Sequence, residues 1–352
     1  MNKLRYEKQI KLKGFGLPAQ ELLQNSKVLI IGAGGLGTPC AQYLNGAGVG
    51  TIGIIDDDII SLSNLPRQTL YNDNEVGLSK VEVLLKRLKL QNPGTNFICH
   101  KEYLIPENAL SIIRDYDLVI DASDNFGTRY LVNDSCVILN KPFIYGALYE
   151  FEGQVSVLNY LGGPTYRCLF TEIDGPDDSL NCDDNGILGV LPALIGTYQA
   201  IEAIKIITGI GTVLNGQLLI IDTLSQTHFK IAVLLKPENK NIVKLKSFYS
   251  TPVCSNAVQL INGNTLKNLL VNDKNIQLID VRTAAEFATN SLPGTKNIPL
   301  ADLDKRIAEI DFNLPVVTIC ASGSRSKQAA LILVKSKSIG DVFSLNGGLS
   351  SL

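Results

Sequence analysis

Short apolar runs bounded by glycine alternate along this chain with stretches in which apolar residues recur at helical spacing. Val28-Leu29-Ile30-Ile31 and Thr51 to Ile55 read as buried strands, and Leu36 to Leu44 between them as a helix. Two strands flanking a helix make a βαβ unit, which predicts a parallel sheet covered by helices. Lys80 to Leu90 sets Val81, Leu84, Leu85 and Leu88 on one helical face, and Leu118-Val119-Ile120 is a further strand ending in acidic and polar residues. Phe143-Ile144-Tyr145 and Val155-Ser156-Val157-Leu158 continue the alternation. Leu191 to Thr208 predicts a long, largely buried helix through Leu194, Ala200, Ile201, Ile204 and Ile207.

A joint follows. Lys236-Pro237-Glu238-Asn239-Lys240-Asn241 is polar, and Ser247 to Asn264 is short of core residues, so a domain boundary falls within 236–264. Beyond it Leu266 to Leu270 predicts a short helix, Gln277 to Val281 a strand, Val316 to Cys320 another strand, and Ser326 to Lys337 a helix. The expected division is a first α/β domain over residues 1–250, a linker over 251–263, and a small second α/β domain over 264–352.

Composition narrows the function. A chain of 352 residues with 45% apolar content can bury two cores. Lys+Arg 32 against Asp+Glu 34 is too balanced for a nucleic-acid or anionic-membrane binder. Apolar stretches such as Ile187 to Ile195 fall short of a membrane helix, and the charged start, Met1 to Ile10, carries no signal-peptide pattern. Seven scattered cysteines suit free thiols in a reducing compartment. With His100 and His228 as the two histidines, a His-rich metal site or a Ser/His/Asp triad lacks candidates.

Chemistry enters at Gly32-Ala33-Gly34-Gly35-Leu36-Gly37. Gly32, Gly34 and Gly37 have the spacing that lets a backbone approach a phosphate at a helix N-terminus, and Asp56 follows where an acidic residue meets a ribose hydroxyl. That much allows a packing turn, NAD or a nucleoside triphosphate. Asp56-Asp57-Asp58, Ser63-Asn64-Leu65-Pro66-Arg67-Gln68 and Gly77-Leu78-Ser79-Lys80 favour the triphosphate, because Arg67 and Lys80 supply cations for a longer polyphosphate and its leaving group. Asp121-Ala122-Ser123-Asp124-Asn125 stands at the carboxyl edge of a strand, where a carboxylate can hold Mg2+ against phosphate oxygens; a polar strand-end turn is the plainer alternative.

Arg5-Tyr6-Glu7-Lys8-Gln9-Ile10, the Gly-x-Gly-Gly-x-Gly loop, Asp-x-Asp-x-x-x-x-Ser-Asn-Leu-x-Arg-Gln, Gly-x-x-Lys and Asp-x-x-Asp-Asn together resemble the adenylating family of MoeB and ThiF, relatives of ubiquitin-activating enzymes. The resemblance covers roughly residues 1 to 255. It implies a Rossmann-like ATP-binding fold, a homodimer, and Mg2+-dependent adenylation of the C-terminal glycine of a small ubiquitin-like sulfur carrier ending in Gly-Gly. By position Gly32, Gly34, Gly35, Gly37, Asp56, Asn64, Arg67, Lys80, Asp124 and Asn125 inherit the nucleotide contacts, and Asp124 the Mg2+. Lys8 stands where the family has an inter-subunit arginine, keeping the charge without the bidentate fork.

The family's structural zinc uses two Cys-x-x-Cys pairs. Here these read Thr165-Tyr166-Arg167-Cys168 and Thr251-Pro252-Val253-Cys254, so two of four thiolates are gone and no zinc is expected. Cys168 and Cys254 default to small buried side chains. Cys182 matches the loop cysteine that in some relatives joins the activated carrier or takes part in sulfur transfer, although Asp183 and Asp184 beside it oppose thiolate formation. Cys40, Cys99 and Cys136 are expected in the core.

Cys320-Ala321-Ser322-Gly323-Ser324-Arg325 follows an apolar strand and precedes a helix. Loop amides, a helix N-terminus and Arg325 should lower the thiol's pKa and stabilise a sulfur anion. With Asp280-Val281-Arg282, Glu286-Phe287, Leu292-Pro293-Gly294 and Gly347-Gly348, residues from about 264 to 352 resemble a rhodanese domain; the family's Gly-His is Asn290-Ser291 here. The pair of domains resembles MoeB-rhodanese fusions. It implies that a Cys320 persulfide, loaded by a protein donor such as a cysteine desulfurase, displaces AMP to give a thiocarboxylate for molybdopterin biosynthesis, with thiamine synthesis or tRNA thiolation as alternatives. A nicotinamide oxidoreductase and a binding module with a dead adenylation site are the rivals from other classes. The expected place is the cytoplasm, a bacterial cytosol or a plastid stroma.

Overall fold

A computed structural model describes residues 3–170, 186–246, 249, 259–272, 276–312, 314–336 and 342–351. The chain divides into two compact units near residue 251.

In the first unit eight strands form one sheet: β1 (Lys27–Ile31), β2 (Thr51–Ile55), β3 (Asn96–His100), β4 (Leu118–Asp121), β5 (Phe143–Tyr149), β6 (Glu152–Leu158), β7 (Gln217–Asp222) and β8 (Thr227–Ala232), in spatial order β3-β2-β1-β4-β5-β6-β7-β8. From β3 to β5 the pairing is parallel, and from β5 to β8 antiparallel. β1, β2 and β4 are buried almost throughout, as central parallel strands covered on both faces must be. The helices are α1 (Glu7–Ile10), α2 (Gly16–Asn25), α3 (Gly37–Ala47), α4 (Lys80–Gln91), α5 (Pro106–Arg114), α6 (Phe126–Ile138), α7 (Tyr166–Leu169) and α8 (Val190–Thr208). Because the chain leaves β1 toward β2 on one side and β4 on the other, the carboxyl ends of these strands open a crevice, the place where doubly wound sheets bind ligands.

One sequence expectation needs correction here. α8 buries Leu191, Ile195, Ala200 and Ala203, whereas Leu194 and Ile201 are 37% and 44% exposed, because the helix turns a narrower face to the sheet than its apolar content suggests. Among the described residues α8 is also the one helix long and apolar enough to cross a membrane, which a search for uninterrupted apolar runs does not register. In the fold it packs against α3, β5 and β6.

In the second unit five parallel strands, β9 (Gln259–Ile261), β10 (Gln277–Asp280), β11 (Thr295–Asn297), β12 (Val316–Ile319) and β13 (Val342–Leu345), stand in the order β11-β10-β12-β13-β9. With them go α9 (Gly263–Asn272), α10 (Ala284–Thr289), α11 (Leu303–Arg306) and α12 (Ser324–Ser336). Side chains alternate across the sheet. Val316 joins Ile279, Ala329 and Leu333 in one core, and Val317 and Ile319 join Leu266, Leu278 and Leu345 in the other.

Candidate functional site

The turn between β1 and α3 is built where a side chain would not fit. A Cβ on Gly37 would meet the Gly32 carbonyl oxygen at 1.8 Å, and one on Gly32, whose φ is +102, would meet the Ala122 carbonyl oxygen at 2.7 Å. Gly35 is pressed between Pro192 of α8 and the Arg67 carbonyl, at 2.8 and 3.2 Å from a Cβ. Gly34 has the most room, with Gln68 Nε2 as its neighbour at 3.6 Å. The result is a backbone cradle at the start of α3, open at Gly34 and lined by amide groups suited to a phosphate.

The charged residues converge from the neighbouring strand ends. Asp56, just past β2, accepts the Ala33 amide at 2.7 Å and the Asp58 amide at 2.7 Å, which ties it to the cradle. Partial burial pushes its carboxyl above the ordinary value, offset only in part by those amides and Lys80. Lys80, the first residue of α4, is buried and pairs with Asp58 at 2.8 Å. Arg67 donates to the Ser63 carbonyl at 2.8 Å, and Asn64 caps the same turn by accepting the Ser61 amide at 3.1 Å. Asp56, Asp58 and Lys80 thus stand together at the cradle, with the Arg67 backbone against Gly35.

Past β4 the two aspartates of Asp-x-x-Asp part ways. Asp121 is fully buried, takes the Ser123 amide and hydroxyl at 3.1 and 2.6 Å, and leaves Oδ2 without a hydrogen-bond partner. Its carboxyl is pushed up by burial, with Arg129 and Ser123 pulling the other way. Asp124 is exposed, with Asn125 Nδ2 at 3.4 Å, while Asn125 Oδ1 caps α6 by accepting the Thr128 amide at 2.8 Å. Of the two carboxylates, Asp124 is the one that solvent, and so a hydrated cation, can reach. The residues fit a nucleotide and Mg2+: a cradle whose Cβ positions at Gly32, Gly35 and Gly37 are blocked, a buried cation beside it, and a buried orphan oxygen on Gln68, whose Nε2 neighbours Gly34.

Several members of this site are absent from the motif reading. Asp58 is visible as the second acid of Asp-x-Asp, but its partnership with Lys80 is not. Gln199 of α8 donates to the Asp121 and Ile144 carbonyls at 2.7 and 3.2 Å, and nothing in its local sequence marks it. Lys8 is exposed on α1, beside Gln9, whose Nε2 donates to the Ala47 carbonyl at the end of α3 opposite the cradle.

Cys168 is buried, and its sulfur is surrounded by donors of the protein itself: Thr165 Oγ1 at 3.4 Å, the Lys236 amide at 3.4 Å and Asn239 Nδ2 at 3.6 Å. Burial raises this thiol, but Thr165, Lys236 and Asn239 outweigh it and the net shift is downward. Among the described residues no group of three His, Cys, Asp or Glu side chains could hold a metal. Cys182 and Cys254 lie outside the described residues. Cys40 and Cys136 are buried, whereas Cys99 is exposed, a correction that follows from β3 being the edge strand of the sheet.

The second site lies between β12 and α12. Cys320 ends the strand fully buried, its sulfur 3.1 Å from the Gly323 amide and 3.4 Å from Ser326 Oγ. Burial pushes the thiol up; the Ser326 hydroxyl and the amides of Ser326, Ser322 and Gly323 overcome this and leave it below its ordinary value. Gly323 has φ +94, and a Cβ there would meet the Gly347 nitrogen at 2.9 Å. Gly348 abuts the loop likewise, a Cβ meeting the Cys320 carbonyl oxygen at 2.4 Å, and Leu349 donates its amide to that oxygen at 2.8 Å. Gly347-Gly348 is therefore the wall that shapes the cysteine loop. Arg325 differs from the sequence expectation in one respect. Its guanidinium is held in a fork by Glu286 at 2.7 and 2.9 Å, so the direct donors to the sulfur side are amides and a hydroxyl, and the arginine contributes from a distance.

Comparison with known proteins agrees with both halves. Residues 6–244 match the ThiF family and residues 263–352 the rhodanese-like domain. The chain is 42% identical over 360 residues to a protein of Porphyra purpurea named probable molybdopterin-synthase adenylyltransferase, covering 99% of this chain and 92% of that protein. It is 40% identical over 357 residues to the adenylyltransferase and sulfurtransferase MOCS3 of Drosophila sechellia, covering 92% of this chain and 77% of that one. Among solved structures, E. coli MccB with the ligand MccA-N7isoASN has a similar fold, with a TM-score of 0.60 at 21% identity over 69% of this chain and 75% of that one.

Proposed function

Since the chain belongs to the ThiF family and continues into a rhodanese-like domain, we propose that it activates the C-terminal glycine of a small ubiquitin-like sulfur carrier with ATP and then converts it to a thiocarboxylate. At the coarser level it is an adenylyltransferase and sulfurtransferase of molybdopterin synthesis, as its relatives are named. A nicotinamide oxidoreductase is not favoured, because relatives matched over nearly the whole chain carry adenylyl and sulfur transfer in their names.

The observation that carries the reading is that one chain holds both a phosphate cradle with a buried cation and an amide-bound thiol. In the first step the carrier carboxylate attacks the α-phosphorus of ATP and pyrophosphate leaves. The Gly34 opening admits the phosphates, Lys80 and Arg67 offset the charge that grows on the departing pyrophosphate, and Asp56 orients the ribose through its fixed place beside Ala33. Asp124, exposed at the end of β4, would hold Mg2+, which would supply charge neutralisation for the polyphosphate. In the second step a persulfide anion on Cys320 attacks the acyl-AMP carbonyl and AMP leaves; a thiolate then attacks Cys320 Sγ of the acyl disulfide so formed and expels the carrier thiocarboxylate, and a second thiol reduces the resulting Cys320 disulfide, returning a Cys320 thiolate that the loop amides stabilise.

We infer a homodimer from the family resemblance, in which Lys8 stands where an inter-subunit arginine is found. Its neighbour Gln9 bonds the Ala47 carbonyl at the end of α3 away from the cradle, which supports a role for the Lys8 charge toward a second copy. The sulfur donor is a protein carrying a persulfide, and the setting is a reducing one, the bacterial cytosol or plastid stroma, which suits the free thiols among the described cysteines.

The experiment is ATP:pyrophosphate exchange with a panel of Gly-Gly-ending carriers. Exchange that needs the carrier, and that is lost in Arg67→Ala and Asp124→Ala with the fold intact, is the expected result. No exchange with any carrier would leave a binding module with a dead site.

A further inference from the structure

Beneath the Cys320 sulfur lies a pair of hydroxyls outside every expected site. Ser326 and Ser344 are both fully buried. Ser326 Oγ is 3.4 Å from Cys320 Sγ, donates to the Gly323 carbonyl at 3.0 Å, and receives a hydrogen bond from Ser344 Oγ at 3.0 Å. Its backbone is fixed by a further contact. Thr318 Oγ1 of β12 lies 2.9 Å from the Ser326 carbonyl and 3.0 Å from the Phe343 carbonyl, its one proton shared between them, which ties the first turn of α12 to β12 and β13.

A serine hydroxyl carries one proton and two lone pairs. With Ser344 donating into one lone pair, the Ser326 proton has two acceptors within reach, the Gly323 carbonyl and the Cys320 sulfur. A neutral thiol donates its own proton to Ser326 Oγ, so Ser326 serves Gly323. A sulfur anion can only accept, so the hydroxyl turns toward it, and hydrogen bonds to an ionised acceptor are the stronger kind. The charged groups around the loop are committed to one another: Arg325 of α12 to Glu286 of α10, and Arg282 to Asp280 at the end of β10. Among the described residues no cation bonds the sulfur directly.

We propose that Ser326, held in place by Ser344, is a positioning residue for Cys320, a two-way hydroxyl that bonds Gly323 while the sulfur is protonated and the sulfur once it is anionic. The proton that Cys320 loses goes to solvent, and Ser326 keeps its own throughout. The use of this device in sulfur transfer rests on the function proposed above, but the device itself is a property of the thiol.

The test is alkylation of Cys320 by iodoacetamide on the full chain across pH, with no sulfur donor present and the site assigned by peptide mass spectrometry. Ser326→Ala should raise the apparent pKa of Cys320 by about one unit and slow alkylation about tenfold below both values. Ser344→Ala should move it in the same direction by less, and Ser326→Thr, which keeps a hydroxyl, should return it toward the wild type. Unchanged profiles in the two alanine variants overturn the proposal, as does a Ser326→Thr profile equal to that of Ser326→Ala. If Ser326→Ala does not fold, Ser344→Ala decides alone: a shift supports the device and none overturns it. Persulfide uptake by the wild type, measured separately, tests the sulfurtransferase reading, so the two failures are distinguishable.

Discussion

Lys80 and Asp58 form an ion pair in which the lysine side chain is 7% exposed and the aspartate 53%, with Nζ 2.8 Å from Oδ2. The aspartate stays in water and the ammonium does not, so the pair holds a cation at the cradle without enclosing two charges. A polyphosphate entering the cradle would meet that cation already placed. Lys80→Ala is expected to lower kcat/KM for carrier adenylation by about 100- to 1000-fold, the usual loss when one charge-stabilising donor is removed. The melting temperature should change little, because Asp58 remains solvated. Steady-state pyrophosphate exchange with a parallel thermal melt checks both.

The glycines of the cradle are not alike. Gly37→Ala puts a Cβ 1.8 Å from a backbone oxygen that cannot move aside, and should cost about 3 kcal/mol or more, with loss of nucleotide binding. Gly77 has φ +89 but open space around it, so Gly77→Ala should cost only about 1 kcal/mol. Urea unfolding of the two variants compares them.

How much of this was legible in the sequence depended on burial. β1, β2 and β4 show as runs of apolar residues because both faces of each strand are covered. β8, Thr227–Ala232, is exposed at every position and β3 at Asn96, Ile98 and Cys99, and an edge strand with no fully buried face leaves no apolar period to read. The cradle glycines were legible because backbone approach demands glycine. Lys80 with Asp58, Arg325 with Glu286, and Ser326 with Ser344 were not, since each pair joins residues that the chain separates and the sheet reunites. Thr283-x-x-Glu286 can be read as a helix cap, and it is one, with Glu286 accepting from the Thr283 hydroxyl at 2.8 Å. That the same carboxylate also holds Arg325 is a tertiary fact.

The cysteines should separate by reactivity. Cys320 has its thiol lowered by hydrogen bonds, whereas burial raises those of Cys40 and Cys136. A thiol lowered in the fold is ionised at pH values where an ordinary one is still protonated, so its alkylation falls away only as pH drops through that lower value. Brief iodoacetamide treatment of the native chain near neutral pH should modify Cys320 well before Cys40 or Cys136, and peptide mapping reads the order. Equal labelling would remove the activated thiol from the account.

Cys168 already receives hydrogen bonds from Lys236 and Asn239, and a structural zinc needs four good ligands. Purified protein should carry well under one zinc per chain, and a chelator should leave its melting temperature unchanged. Stoichiometric zinc that disappears on Cys168→Ser would show that the site is kept.

Glu286 is held low, at about 2, first by its hydrogen bonds from Arg325 and then by those from Thr283. A depressed carboxylate stabilises the fold above its unfolded value of 4.5, and that contribution is lost as pH falls from there toward 2. Glu286→Gln should therefore flatten the acid limb of the second unit's stability profile between about pH 4.5 and 2, seen by circular dichroism of the full chain.

The most direct measurement is the intact mass of a Gly-Gly-ending carrier after incubation with the full chain, Mg-ATP and a persulfide-loaded protein donor. The account predicts exchange of one carboxylate oxygen for sulfur, abolished in Arg67→Ala at the adenylation step and in Cys320→Ala at the sulfur step, with pyrophosphate exchange normal in the latter. Thiocarboxylate formed at the normal rate by Cys320→Ala without added sulfide, or a carrier left unchanged by the wild type, would contradict it.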